Sequence, residues 1–158
     1  MKLEGYPYEG ILYAGVMITD NGPKVIEFNC RFGDPETQVV LPRLNTDLVS
    51  IVQKTIKKNL KDITIDFIPQ SAITVVIASK GYPGEFKKEV LLPSLKNFNN
   101  ETEISVFHSG TSKDKNGKIV SNGGRVLSIT SVGANVQDCR KKAYGIVEAI
   151  NWEHGFYR

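Results

Sequence analysis

Residues 25–38, VIEFNCRFGDPETQ, decide how we expect this chain to fold, because apolar and polar side chains alternate through their first half. Successive side chains of a β-strand point to opposite faces of its sheet. The pattern therefore predicts a strand whose apolar side chains, Ile26, Phe28 and Cys30, point into a core. The opposite face then presents a carboxylate, an amide and a guanidinium: Glu27, Asn29 and Arg31.

Glu27 and Asn29 are spaced so that they can share a cation. A strand rises roughly 3.3 Å per residue, which separates Cα atoms two residues apart by about 6.6 Å and lets their side-chain oxygens converge. Mg²⁺ prefers such hard oxygen ligands and keeps further positions for water and substrate phosphate. Arg31, on the same face, can hold a carboxylate or phosphate through its planar donor group. The alternative is a solvated strand face with a surface ion pair, which the pattern alone favours equally.

The strand is followed directly by residues that favour the start of a helix. Asp34 is a preferred N-cap residue, Pro35 suits the first helical position, and Glu36 suits the positive end of the helix dipole. Free backbone N–H groups at such an end favour an anionic ligand beside the predicted cation site. The alternative is that Asp34 only caps the helix.

The whole chain predicts a mixed α+β fold. Asn21-Gly22 between two apolar runs is a strong hairpin signal, so the strands that flank it are expected to pair. The segments with strand patterns are residues 10–18, 24–30, 73–78, 103–108, 119–120 and 125–130. Helices are expected from Pro35 to near Pro42, over residues 47–60, and at the end of the chain after the N-cap residue Asn135.

Composition excludes several classes of protein. The chain has 158 residues, a net charge of +3, 41% hydrophobic and 23% charged residues, which is ordinary for a soluble domain. No run approaches the roughly 18 apolar residues of a membrane span, and no secretory signal is visible, so a cytoplasmic protein is expected. Cys30 and Cys139 do not suggest a disulfide framework. Nucleic-acid binding is not expected, because the chain has no continuous basic stripe with stacking aromatic residues.

Two glycine-rich loops contain further candidate residues. Tyr82 lies in a turn sequence, and it either has a structural role or faces a bound nucleotide across a domain junction. Arg125 follows two glycines, which form either a bulge that lets strands approach or an anion-binding loop. The structural alternative is favoured for both residues.

Residues 31–38, RFGDPETQ, preceded by 26–29, IEFN, resemble the signature of the phosphoribosylamine–glycine ligases, also called glycinamide ribonucleotide synthetases. The resemblance covers essentially the whole chain, and the octapeptide is highly specific. Its further segments are 12–17 (LYAGVM), 78–84 (ASKGYPG), 106–111 (VFHSGT) and 122–127 (NGGRVL).

The resemblance implies an α+β fold in two parts. Residues 1–62 are expected to be the last strands and helices of an ATP-grasp domain, and residues 63–158 a small β-rich carboxy-terminal domain closed by a helix, with its end truncated. It also implies that amino-terminal domains of the enzyme are missing from this chain, which alone is expected to be inactive. The implied reaction joins glycine to 5-phosphoribosylamine through glycyl phosphate, with ATP as co-substrate, in purine synthesis.

The resemblance also implies roles for residues of the signature. Glu27 and Asn29 match metal ligands for Mg²⁺ or Mn²⁺. The positions that match catalytic residues are Arg31 and Asp34, and those that match substrate-binding residues are Arg31, Gly33, Asp34 and Glu36. The implied partners are glycine, 5-phosphoribosylamine, ATP and the missing amino-terminal domains, without nucleic acid or membrane. Two alternatives remain: another ATP-grasp ligase with a different acid or amine, and a non-catalytic binding or assembly module.

Overall fold

The structure, a computed structural model, describes residues 1–98 and 102–157 and has the expected α+β fold. Its helices are Thr37–Val40 (α1), Leu48–Ile56 (α2) and Val136–Ile150 (α3). Its strands are Tyr13–Thr19 (β1), Gly22–Asn29 (β2), Ser71–Ser79 (β3), Ile104–His108 (β4), Thr111–Lys113 (β5), Ile119–Ser121 (β6), Arg125–Gly133 (β7) and Gly155–Phe156 (β8). Short 3₁₀ turns occupy Lys2–Glu4, Leu41–Arg43, Leu60–Asp62 and Lys96–Phe98.

The chain divides into two compact units. The hairpin unit comprises residues 1–37 and 44–68, and the sheet unit comprises residues 38–43 and 69–158. The boundary expected between an ATP-grasp part (residues 1–62) and a carboxy-terminal domain (residues 63–158) stays a prediction. Within the described residues, no helix combines the length and the apolar character needed to cross a bilayer.

In the hairpin unit, β1 and β2 pair as antiparallel strands, which confirms the predicted hairpin. Asp20 and Asn21 connect the strands, and Gly22 adopts a left-handed φ of 86° where the return strand begins. The register shifts by one residue between Gly15 and Val16, at a β-bulge. Such a shift changes which residues lie opposite each other on the two strands.

The prediction that Ile26, Phe28 and Cys30 point into a core is wrong for this chain. The side chains of Ile26 and Phe28 are 64% and 63% exposed, and Cys30 is also exposed. The reason is that, in the part of the chain that the structure describes, β1 and β2 pair with each other alone as a two-stranded sheet. Two strands alone bury little apolar surface, because a sheet needs a second layer to cover its face.

The helices of the first half begin and end differently from their predicted bounds. Asp34, Pro35 and Glu36 lie in a turn, and α1 begins at Thr37, whose N–H donates to the Gly33 carbonyl at 3.0 Å. α2 begins as predicted, because the Asp47 carboxylate accepts a hydrogen bond from the Ser50 N–H at 2.7 Å. It ends at Ile56 rather than near residue 60, since Lys58 adopts a left-handed φ of 58° that a right-handed helix cannot continue.

The sheet unit contains the well-packed core. Its four-stranded sheet has the order β4-β7-β3-β8, and β5 and β6 form a separate two-stranded sheet. Of these strands, β5 and β8 were not predicted. α3 packs on β3 and β7, and Asn135 caps it as predicted by accepting from the Asp138 N–H at 2.9 Å. The buried apolar side chains between helix and sheet include Val75, Ile77, Leu127, Ile129, Ala143, Val147 and Ile150.

Candidate functional site

The predicted cation ligands meet on β2. The Asn29 Nδ2 donates a hydrogen bond to the Glu27 Oε1 at 3.0 Å, so the two side chains converge as their spacing predicts. The carboxylate keeps its second oxygen, and the amide oxygen of Asn29 remains available as an acceptor. Among the described residues, no group of three or more histidine, cysteine, aspartate or glutamate side chains is placed to hold a metal ion. This donor pair fits Mg²⁺ or Mn²⁺, which accept hard oxygen ligands, and Mg²⁺ takes most of its remaining ligands from water and phosphate.

Strand β1 completes the surface around this pair. Because of the β-bulge, Gly15 lies opposite Glu27 and Tyr13 lies opposite Asn29. A Cβ atom on Gly15 would approach the Glu27 Cγ to 3.2 Å, which is tight for such a contact. A glycine here therefore leaves room for the Glu27 side chain to lie across β1.

Tyr13 connects β1 to the turn at residues 34–36, which lies within the RFGDPETQ signature and which we call the signature turn. Its hydroxyl donates a hydrogen bond to the Glu36 Oε1 at 3.2 Å. This hydrogen bond raises the pKa of Tyr13, and burial and the negative charges of Glu36 and Glu27 raise it further. The hydroxyl therefore keeps its proton at neutral pH and stays a donor.

Gly33 fixes the other side of Glu36. Gly33 is buried, and a Cβ atom built there would collide with the Glu36 Oε2. The Gly33 carbonyl also accepts hydrogen bonds from the Thr37 N–H and from the Thr37 hydroxyl. The turn therefore holds Glu36 between a hydroxyl on one side and a glycine backbone on the other.

Arg31 and Asp34 are exposed at the same end of the hairpin unit. The Arg31 Nη1 donates to the Phe32 carbonyl at 2.9 Å, which occupies one of its five N–H donors. The remaining donors suit an anionic group, and the Asp34 carboxylate suits a cationic one. The structure thus brings Glu27, Asn29, Gly33 and Glu36 into one contiguous region of the hairpin unit, and Arg31 and Asp34 lie next to these residues in the chain.

Tyr82 and Arg125 belong to the sheet unit. Tyr82 lies in the loop after Gly81, and Arg125 follows Gly123 and Gly124; we call the place where these two loops meet the glycine junction. A Cβ atom on Gly124 would collide with the ring of Tyr82, so the ring lies directly against the glycine backbone. The Ser79 N–H and hydroxyl donate to the Gly124 and Gly123 carbonyls at 2.7 and 2.9 Å. The pairing of β3 with β7 shifts register between Ile77 and Ala78, opposite Leu127 and Arg125, which agrees with the bulge alternative. Roles for Tyr82 and Arg125 in ligand binding stay predictions.

Sequence reasoning missed Tyr13 and Gly15. The hairpin signal predicted that β1 and β2 pair, but it did not predict the bulge. In the register of the hairpin end, where Val16 lies opposite Val25, continued pairing would have placed Tyr13 opposite Phe28. The one-residue shift brings Tyr13 and Gly15 opposite Asn29 and Glu27 instead.

Comparisons with known proteins match both units. The model of the phosphoribosylglycinamide synthetase C domain matches residues 72–158, and that of the ATP-grasp (A) domain of the same synthetase matches residues 1–37. A phosphoribosylamine–glycine ligase from Caldanaerobacter subterraneus is 46% identical over 158 residues, which are all of this chain and 37% of that protein. The human trifunctional purine biosynthetic protein adenosine-3 is 46% identical over 159 residues, covering all of this chain and 16% of that protein.

A solved structure has the same fold. The crystal structure of a phosphoribosylamine–glycine ligase from Thermotoga maritima matches with a TM-score of 0.78 and 34% sequence identity. The match covers 99% of this chain and 38% of that one. This chain therefore spans little more than a third of the length of the single-function ligases that it matches.

Proposed function

Because the chain belongs to the phosphoribosylglycinamide synthetase family, we propose that it is the carboxy-terminal part of an ATP-dependent ligase that joins glycine to 5-phosphoribosylamine. The products are glycinamide ribonucleotide, ADP and phosphate, in purine synthesis. The observation that carries the proposal is the convergence of Glu27 and Asn29 inside the segment that matches the ATP-grasp domain. The Asn29 Nδ2 lies 3.0 Å from the Glu27 Oε1. Relatives from two bacteria carry the name of this ligase, and neither alternative function is favoured.

In this proposal Glu27 and Asn29 would hold a Mg²⁺ or Mn²⁺ ion through side-chain oxygens, and the ion would supply positive charge that neutralises the ATP phosphates. The hydrogen bond between Glu27 and Asn29 keeps the two side chains side by side before the ion binds. This hydrogen bond reduces the conformational entropy that the two side chains lose when they bind an ion, because they are already held next to each other.

The signature turn supplies the groups for the other reactants. Arg31 binds an anionic substrate group through its free N–H donors, while Asp34 and Glu36 accept from an amine beside the backbone of Gly33. In the proposed reaction, ATP phosphorylates the glycine carboxylate, and the ribosylamine nitrogen then displaces phosphate from glycyl phosphate. Positioning and charge neutralisation account for most of the rate enhancement in such a transfer.

The proposal extends to partners and location. The remaining domains of such a ligase are the expected partner of this chain, and the cytoplasm is the expected compartment. Tyr82 is proposed to face the bound nucleotide, and Arg125 to contact an anionic group, both at the glycine junction of the sheet unit. Binding of nucleic acid or membranes is not part of the proposal.

The test is ADP release by the longest native polypeptide that contains this segment, with 5-phosphoribosylamine present and glycine either supplied or withheld. Glycine-dependent release is expected, and Glu27→Gln should reduce it severely at limiting Mg²⁺ because the substitution removes a charged ligand. The matched control is Glu148→Gln, which changes an exposed carboxylate on α3 and should leave turnover unchanged.

Three outcomes would contradict parts of the proposal. Release with a different acid would retain ATP-grasp chemistry and change the substrate. Near-normal turnover of Glu27→Gln at limiting Mg²⁺ would remove Glu27 from the metal site. Absence of release with every acid, together with binding of a partner protein, would favour a binding module.

A further inference from the structure

We propose that Tyr13 is a positioning residue for the ligase reaction, because its hydroxyl holds the Glu36 carboxylate in the orientation that accepts a substrate amine. The inference rests on the proposed function, which assigns Glu36 to the substrate pocket. Neither the signature nor the comparisons assign a role to Tyr13. Its role follows from the strand pairing and from the contacts of its hydroxyl.

Strand pairing gives the first reason. In an antiparallel pair, residues directly opposite each other project to the same face, so Tyr13 shares a face with Asn29, and Gly15 shares one with Glu27. The two positions of β1 that lie opposite the cation ligands are therefore a hydroxyl donor and a glycine. The bulge between Gly15 and Val16 is what aligns them.

The contacts of Glu36 give the second reason. Its Oε1 accepts from the Tyr13 hydroxyl at 3.2 Å, and its Oε2 lies against the backbone of Gly33, where a Cβ atom would displace it. A carboxylate offers about four lone-pair positions, so one bond from Tyr13 leaves capacity for an incoming N–H donor. Glu36 is half-buried, and a fixed carboxylate at a half-buried position loses less conformational freedom when a ligand arrives.

Charge identifies the ligand as an amine. The titratable groups that act on the Tyr13 hydroxyl are the carboxylates of Glu36 and Glu27, whose negative charges raise its pKa. Such a surface attracts a divalent cation at Glu27 and an ammonium or amine group at Glu36. Glycine and the ribosylamine both carry an amine, and their separate KM values distinguish which of them Glu36 receives.

The kinetic test compares Tyr13→Phe with wild type in the longest native polypeptide. The substitution keeps the ring and removes only the hydroxyl, so we expect the KM for one amine substrate to rise about tenfold, as for loss of one hydrogen bond to a charged group. The kcat and the half-saturating Mg²⁺ concentration should change much less. Tyr6→Phe, which alters an exposed tyrosine of the same unit, is the matched control.

A double-mutant cycle shows whether Tyr13 acts through Glu36. In a Glu36→Ala background, adding Tyr13→Phe should change the KM no further, because the acceptor is already gone. A full tenfold effect in that background, or unchanged KM values for both amines in Tyr13→Phe alone, would overturn the positioning role.

A titration of the 158-residue chain separates this inference from the proposed function. With ¹³C-labelled tyrosines, the Tyr13 resonance should titrate above the ordinary tyrosine pKa of 10.0, and in Glu36→Ala it should move down toward that value. Ordinary titration of Tyr13 in a polypeptide with glycine-dependent turnover would overturn the positioning role alone. Raised titration without any glycine-dependent turnover would overturn the proposed function, and the positioning role with it.

Discussion

Replacing Gly33 by alanine should weaken substrate binding while leaving the stability of the chain nearly unchanged. The φ angle of Gly33 lies outside the left-handed region, so alanine can adopt the backbone conformation and should gain about 0.4–1 kcal/mol from reduced freedom of the unfolded chain. The new methyl group collides with the Glu36 Oε2, lies 3.0 Å from the Cδ, and must displace the carboxylate. Loss of the hydrogen bond from Tyr13 to the charged carboxylate costs about 1.5 kcal/mol, the lower end for such bonds, because this one is 3.2 Å long and part-buried.

The two contributions nearly cancel, so the free energy of unfolding should stay within about 1 kcal/mol of wild type. The displaced carboxylate can no longer receive the amine, and we expect the KM for that substrate to rise about tenfold or more. Urea unfolding of the chain measures the first quantity, and steady-state kinetics of the longest native polypeptide measures the second.

Gly145→Ala is the matched control for Gly33→Ala. A Cβ atom on Gly145 meets nothing within 4 Å, and the residue lies inside α3, where alanine is favoured over glycine by about 1 kcal/mol. This variant should be more stable than wild type and should keep the wild-type KM. The reasoning is refuted if Gly33→Ala keeps the wild-type KM, or if it loses more than about 3 kcal/mol of stability, a loss typical of a clash within a packed core.

Three further predictions concern the sheet unit. Leu127→Ala should lower the free energy of unfolding by about 2–5 kcal/mol, because Leu127 is 0% exposed and its removal leaves a cavity; urea unfolding measures the loss. Asn135→Ala should cost about 0.5–2 kcal/mol by removing the cap of α3, and helical circular dichroism during thermal unfolding checks it. The hydrogen bond from Lys142 lowers the pKa of Asp138 below 3.8, so its stabilising contribution is present above about pH 4 and disappears as the pH falls through the lowered value. Lys142→Met should therefore reduce the loss of stability between pH 5 and pH 2.5, as seen in the urea midpoint.

Local signals predicted most of the fold. Asn21-Gly22 marked the hairpin and Asn135 marked the start of α3, because each acts on backbone groups a few residues away. Such interactions are visible in a sequence without knowledge of the rest of the fold. The convergence of Glu27 and Asn29 was predictable for the same reason, since both lie on one strand.

Interactions between separate segments were less predictable. The alternation at Ile26 and Phe28 indicates which side chains suit a core, but it does not indicate whether another layer covers them in this chain. The role of β1 depends on a bulge that no local pattern marks, so Tyr13 was not among the predicted site residues. Strands β5 and β8 were missed because three and two residues carry too little alternation to recognise.

The two cysteines differ sharply in accessibility, and this makes the chain suitable for selective labelling. Cys30 is exposed beside Asn29 and Arg31, whereas Cys139 is 0% exposed and its Sγ donates to the Ser71 carbonyl at 3.2 Å. A maleimide fluorophore should therefore react with the folded chain at Cys30 and report on the candidate metal site. The thiol of Cys139 should react only after α3 detaches from the sheet. A single unmodified sequence thus provides one optical reporter for ligand binding and a second chemical reporter for global unfolding.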